Sequence, residues 1–385
     1  MTDIVQLFSG VGILIDEAFY ETGKQKNGIQ KIADSLKEKG LPYVAFQELP
    51  ISFVKQFHSV SFVVLDWNLS GVQPIPQATI EDNIEFINQF QSSCFAPLFI
   101  FSDEDPRDIQ VTLESRNLFY EGCPVFIKKK EELVSSERLF GEIEGWLRKT
   151  PSIYVLKEWE KTTREAKIKM MWSLSAISPA WPSILSRAIG LDGGDSSSEL
   201  MKLLHNNLSY RMDNLSFDDE IINVGLGGIN KDDLRRLLEC ERFLPKSLLP
   251  EHPFSGDVFL IEGKYYINIR PDCDIIRDFA QKDMYLIRGN VVDEATINVE
   301  GKAGQDTILF EKGAFVEKIN CSYVAFISGQ ILRLSFREIY QRKWKEIKES
   351  RIGRLLPPYI TAIQQKYAAY LQRQGLPGIP KEAIE

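Results

Sequence analysis

Five polar residues stand directly after short apolar runs, where a fold can bring them together. Asp16 and Glu17 follow the run at 11–15, Asp66 the run at 61–65, Ser102 the run at 97–101, and Lys128 the run at 124–127. Three carboxylates gathered in one place repel one another and raise each other's pKa, so the cluster needs a cation to be fully ionised. Mg²⁺ suits such a set, because it prefers oxygen ligands and keeps part of its water shell. A carboxylate there can act as the oxygen nucleophile toward a phosphoryl group, provided charge on the phosphoryl oxygens is neutralised.

The elements that must position these residues alternate along residues 1–150. Strands are expected at 11–15, 43–46, 61–65, 97–101 and 124–127, each a continuous apolar run. Helices are expected at 29–39, ending at Gly40, at 80–90, and at 131–148. Strand–helix alternation with uninterrupted apolar strands implies a parallel sheet covered on both faces. Five strands in this length fit a doubly wound, flavodoxin-like (βα)5 domain, whose sites lie at the carboxyl ends of the strands.

With those positions in order, residues 9–148 resemble the receiver domains of two-component response regulators. Asp66-Trp67-Asn68-Leu69 is especially similar to the phosphoacceptor segment of the chemotaxis receiver. The resemblance implies a phosphoryl group carried on Asp66 and Mg²⁺ held by Asp16, Glu17, Asp66 and the backbone carbonyl of Asn68. It also implies that Lys128 supplies an ammonium, and Ser102 a hydroxyl, to the phosphoryl oxygens. Four positions depart from the family pattern: Asp103 stands where a very small residue is usual, and Lys129 where proline follows the lysine. Val125 stands three residues before Lys128 in place of the rotating aromatic, and Ser70-Gly71 where a proline is common.

The remainder offers less chemistry. Residues 151–250 read as a helical middle region, with helices expected at 156–175, 198–212 and 232–243 and a loop at 191–198. Residues 251–340 read as a small β-barrel-like or curled-sheet domain. It opens with a hairpin at 257–261 and 265–269 and continues with strands at 284–287, 307–310, 323–327 and 331–335. From Arg337 to the mid-370s a helical pattern returns, broken at Leu356-Pro357-Pro358, and residues 341–385 read as a basic C-terminal helical tail. Arg270, Asp272 and Asp274 could pair as a catalytic group, but a turn whose aspartates cap backbone amides is the plainer reading. The tail holds Arg351, Arg354 and Arg373 with Tyr367 and Tyr370. This mixture suits single-stranded nucleic acid, but the spacing of Ile360, Ile363, Tyr367, Tyr370 and Leu371 favours a helix docked on the barrel.

Composition narrows the class. The 385 residues are 44% hydrophobic and 26% charged with net charge −8, the make-up of a soluble globular protein. Residues 1–150 hold 14 Lys/Arg against 22 Asp/Glu, whereas residues 341–373 hold 8 Lys/Arg against 2 Glu. Five scattered cysteines and three isolated histidines argue against a disulfide framework, a zinc site or a histidine-based triad. No membrane span, secretory signal or basic helix-turn-helix is evident. The expectation is a cytoplasmic bacterial-type response regulator that is not itself an enzyme. A histidine kinase would phosphorylate it, and its output would pass through protein contacts to an effector, with a homodimer left open. It could serve as a phosphate sink or regulator in a signalling or antiviral cassette. The alternatives are a receiver-gated nucleic-acid-binding or nuclease effector, and a degenerate receiver used as a scaffold.

Overall fold

Short runs of Ile, Val, Leu and Phe with no polar interruption must be covered on both faces, and the first third of the chain builds its sheet from them. The computed structural model describes residues 4–20, 27–133, 135–191, 195–212, 216–224, 228–275, 281–293, 318–373 and 379–383. The chain divides into two units, Met1–Trp181 with Lys202–Leu226, and Pro182–Met201 with Gly227–Glu385. Residues 151–250, read above as a region of their own, are shared between the two. Among the described residues no helix is long and apolar enough to cross a membrane.

In the first unit the strands are β1 (Gly12–Ile15), β2 (Tyr43–Phe46), β3 (Phe62–Leu65), β4 (Leu98–Ser102) and β5 (Val125–Lys129). They form one parallel sheet in the order β2-β1-β3-β4-β5, the strand order of flavodoxin-like doubly wound domains. The helices up to Trp181 are α1 (Ile4–Leu7), α2 (Gly28–Glu38), α3 (Gln77–Ser93), α4 (Pro106–Ser115), α5 (Ser136–Leu147) and α6 (Pro151–Ile177), and Lys202–Leu226 adds the short helix Asp219–Ile222 and most of the helix Ser196–Arg211.

Alternation along each strand splits the core. Leu14, Phe62, Val64, Phe99 and Phe101 face α1, α2, α5 and the start of α6. Ile13, Ile15, Val63, Leu65 and Ile100 face α3 and α4. Each such side chain contributes about 2 kcal/mol by leaving water. Helix α2 shows Ile29, Ile32, Ala33 and Leu36 to the sheet, and its first turn is closed by a reciprocal Asn27–Gln30 capping box. Helix α4, absent from the expectations above, is signalled by Asp105-Pro106, a cap followed by proline in the first turn.

Helix α6 belongs to this unit. Lys157 is fully buried, its Nζ donating to the Ser61 carbonyl at 2.7 Å and to Glu160 at 2.9 Å. Arg164 donates to the carbonyl and the hydroxyl of Ser9, both at 2.7 Å.

The second unit is a mixed helix-and-sheet body around a curled, seven-stranded antiparallel sheet. The strands are β6 (Phe243–Pro245), β7 (Asp257–Ile261), β8 (Lys264–Asn268), β9 (Asp283–Val292), β10 (Cys321–Ile327), β11 (Gln330–Lys343) and β12 (Arg351–Leu355), in the order β10-β11-β9-β8-β7-β12-β6. The β7–β8 hairpin turns at Glu262 and Gly263, both with positive φ (50° and 72°), the two-residue turn that matches strand twist. The strand expected at 307–310 lies outside the described residues.

The expectation of helix from Arg337 onward is corrected. Residues 337–343 continue β11 past an irregularity between Leu334 and Ile339, and pair with β9 as far as Lys343 opposite Asp283. Residues 351–355 form β12 between β7 and β6. Pairing with β9 and with β7 and β6, not a period of two along the sequence, makes these residues strands. Leu356-Pro357-Pro358 precedes the helix Tyr359–Leu371 rather than breaking it. That helix docks as its spacing implied, burying Ile360 and Ile363 and stacking Tyr367 and Tyr370 near Phe336.

The tail arginines are committed within the unit. Asp257, fully buried, accepts from Arg354 Nε at 2.7 Å and lies 3.5 Å from Arg351 Nη1. The same two guanidiniums donate to the carbonyls of Pro250 and His252. Asp272 accepts the Ser255 amide at 2.7 Å, while Arg270 donates to the Asp283 carbonyl and lies over Tyr285. Asp272 thus caps a backbone amide as the plainer reading held, while Asp274 accepts from Cys273 Sγ at 3.8 Å and residues Asp272–Ile275 form a short helix. Removing one member of a buried ion group leaves the others unpaired. Asp257→Asn should thus cost about 3 kcal/mol, read as a lower urea midpoint, whereas Lys348→Gln at an exposed pair should stay within about 0.5 kcal/mol.

Candidate functional site

The parallel register carries the strand ends to one edge. Ile15 lies opposite Phe46 and Leu65, Leu65 opposite Ile100, and Ser102 opposite Lys129. The first residues past β1 and β3, and the last of β4, therefore share the carboxyl edge of the sheet. Backbone bonds fix them: the Asp66 amide donates to the Ile15 carbonyl at 2.8 Å, and the Asp16 amide to the Phe46 carbonyl at 3.0 Å.

Asp16, Glu17 and Asp66 each offer a carboxylate oxygen within 4.8 Å of the others. Asp16 and Asp66 are buried and Glu17 half-buried. Burial and the neighbouring Asp66 charge raise the Asp16 pKa, while Lys130 lowers it. Burial, followed by the Asp66 charge, pushes Glu17 up to about 7.

The cation at this edge is Lys130. Its Nζ lies 2.6 Å from Asp16 Oδ2 and 2.8 Å from Asp66 Oδ2. Burial works against its ammonium, but the charges of Asp66 and Asp16 outweigh that and hold its pKa above the ordinary lysine value. The expectation of Lys128 in this place is corrected. Strand β5 runs two residues beyond the expected end at 127, so Lys128 is still within it, opposite Phe101. On the face of β5 that packs toward α5, Lys128 meets Glu132 and Glu142, each at 3.1 Å. Three consecutive lysines gave no chemical mark of which one passes the edge. Space for the Lys130 stem comes from Gly28, where a Cβ would sit 3.0 Å from Lys130 Cβ and Cδ.

Ser102 is buried at the same edge, its Oγ accepting the Glu104 amide at 3.5 Å. The Asn68 amide donates to Asp66 Oδ1 at 3.4 Å, and the Asn68 carbonyl accepts from Gly71 at 3.3 Å, leaving one lone pair. Sequence reading missed a clasp over the site. Glu104 accepts from the Asn68 side chain at 3.3 Å and closely from Gln73, linking the β4–α4 and β3–α3 loops.

The residues fit a hard divalent cation. With all three carboxylates ionised, Lys130 leaves a local charge of minus two, and Glu17 Oε2 is buried without a hydrogen-bond partner. An oxygen-only set with an orphaned buried carboxylate oxygen is what Mg²⁺ would complete. Neither family models, curated proteins nor solved structures give a match to this chain.

Two predictions follow from the charges. Glu17, raised from 4.5 to about 7, stabilises the metal-free fold when protonated, and that contribution is lost as pH rises from the lower value through the higher. Mg²⁺ competes with the same proton, so its affinity should be about tenfold weaker at pH 6 than at pH 8, measured by calorimetric titration. Melting curves in chelator should fall over this pH interval, and Mg²⁺ should reverse the fall. Lys130→Met should cost the metal-free fold about 3 kcal/mol, because it strands the buried Asp16 and Asp66 charges. Lys128→Met should cost less than about 1 kcal/mol, both read by urea unfolding.

Proposed function

We propose that the first unit is a phosphoacceptor module of the receiver type, and that the chain is a response regulator phosphorylated on Asp66 by a histidine kinase. The observation that carries this reading is the Lys130 ammonium bonded to Asp16 and Asp66 at the carboxyl edge of a 2-1-3-4-5 parallel sheet. Asp16, Glu17, Asp66 and the free lone pair of the Asn68 carbonyl are the oxygens that would hold Mg²⁺. When bound, the ion supplies charge neutralisation to the phosphoryl oxygens.

The chain's own residues do the rest. An Asp66 carboxylate oxygen forms the new P–O bond while the bond from phosphorus to the donor breaks, its electron pair leaving with the donor. Lys130, already 2.8 Å from Asp66 Oδ2, transfers its hydrogen bond to a phosphoryl oxygen without crossing the site. The Ser102 hydroxyl, at the same edge, donates to another. Output passes through protein contacts of the second unit.

The test is incubation of the full chain with a small acyl phosphate and Mg²⁺, followed by intact mass. One phosphoryl group should be added, labile to hydroxylamine, and lost in Asp66→Asn. Lys130→Ala should slow the incorporation about a hundredfold, the usual scale for removing one preorganised charge partner. Lys128→Ala should leave it unchanged. No incorporation in the wild-type chain, or incorporation retained in Asp66→Asn, would refute the proposal and leave the first unit a scaffold.

A further inference from the structure

The sheet of the second unit has two unlike faces. Ile267, Ile287, Leu332, Leu334 and Phe336 point to one side, under the helix Tyr359–Leu371. On the other side Phe259, Met284, Leu286, Trp344 and Ile347 make a smaller cluster with Tyr266 and Tyr340 at its margin. Beyond this cluster the second face carries a further apolar group, Ile331 and Ala325 with Val292 and Tyr323, and cations stand beside both. Pairing places Arg288 opposite Tyr266, Arg342 opposite Met284, and Arg333 opposite both Asn290 and Tyr323. Lys264 precedes Tyr266 by two residues on β8 and so shares its face.

Among the described residues four cations thus stand on one face, in a chain whose net charge is −8. The acid beside them, Glu338, accepts the Tyr340 hydroxyl at 2.6 Å. Arg333 and Arg342 are exposed, whereas Arg288 is half-buried and hydrogen-bonds to Tyr340, its Nε alone left without a partner. The Tyr266 and Tyr340 rings meet edge to face at 5.4 Å.

We propose that this face binds single-stranded nucleic acid, its arginines on the phosphates and its tyrosines against the bases. The charge selects a polyanion. Three of the four cations are arginines, whose planar forks bind phosphate in a bidentate fashion and stack on rings. An acidic peptide would use the charge but not the paired tyrosines, whereas every base has a face on which a tyrosine can stack. A ring can stack only on a base whose face is not already covered in a duplex, so the bases it meets are those of an unpaired strand. The tail arginines Arg351 and Arg354, held by Asp257, are not part of this surface. The proposal stands apart from phosphorylation of Asp66.

The test is fluorescence anisotropy of the full, unphosphorylated chain with short labelled oligo-dT and oligo-rU. Binding of either should be seen at low salt, and log K should fall with log salt at a slope of about −3 if four phosphates are neutralised. The double variant Arg333→Glu/Arg342→Glu should weaken binding at least tenfold and reduce that slope by about 1.4. Tyr340→Leu should weaken it about tenfold with the slope unchanged. Lys31→Glu/Lys37→Glu, on the first unit, should change nothing. Failure of the wild-type chain to bind either strand would overturn the proposal, as would binding indifferent to the double reversal. A duplex bound as tightly, or polyglutamate competing as well as the oligonucleotides, would also overturn it.

Discussion

The carboxyl edge of the first unit's sheet depends on one buried ammonium, that of Lys130. Lys130 Nζ sits between Asp16 and Asp66, so it ties the ends of β1 and β3, which pair with each other, to the end of β5, which pairs only with β4. Without it, two carboxylates would be buried side by side with no opposite charge, a cost of several kcal/mol per ion. The pair costs desolvation on both sides and is therefore poor value as a stabilising device. Its merit is placement: the cation is held 2.8 Å from the Asp66 carboxylate. Gly28 and the Asn27–Gln30 box belong to the same device, since the first turn of α2 must pass close to the lysine stem.

Much of this was legible because buried parallel strands are written in one alphabet. Where the apolar run stops, the first polar residue marks the sheet edge, and that rule located Asp16, Glu17, Asp66 and Ser102. It failed at Lys128. The last two residues of β5 are lysines whose stems lie along neighbouring side chains, so polarity appears in the sequence before the strand ends. Pairing with β4, not residue type, decides that Lys130 is the one past the edge. Helix α4 was missed although Asp105-Pro106 announces it, because its exposed faces give only a short apolar stripe, Ile109 and Leu113.

In the second unit the hairpin at Glu262-Gly263 was legible from turn chemistry, and the docking of the helix Tyr359–Leu371 from its period. The course of 337–355 was not. A strand that bends at an irregularity shifts its inward-facing positions, and the period of two is lost over the very window in which it is sought. Basic residues then invited a reading as a solvent-facing tail. Two of them are instead the counter-charges of Asp257, a carboxylate made by β7 nearly a hundred residues earlier, and no local pattern reports a partner that distant.

Strand β3 has another end. Asp66 follows its last residue, and the Ser61 carbonyl just before its first is gripped by the buried ammonium of Lys157 on α6. Between them lie four residues covered on both faces, with covalent geometry that neither stretches nor buckles. The strand is in effect a short rod, with the Asp66 carboxylate at one tip and the Lys157 ammonium of α6 at the other. A force pulling on the carboxylate along the rod's axis is shared between the ladders to β1 and β4 and the lysine at the far end of the strand.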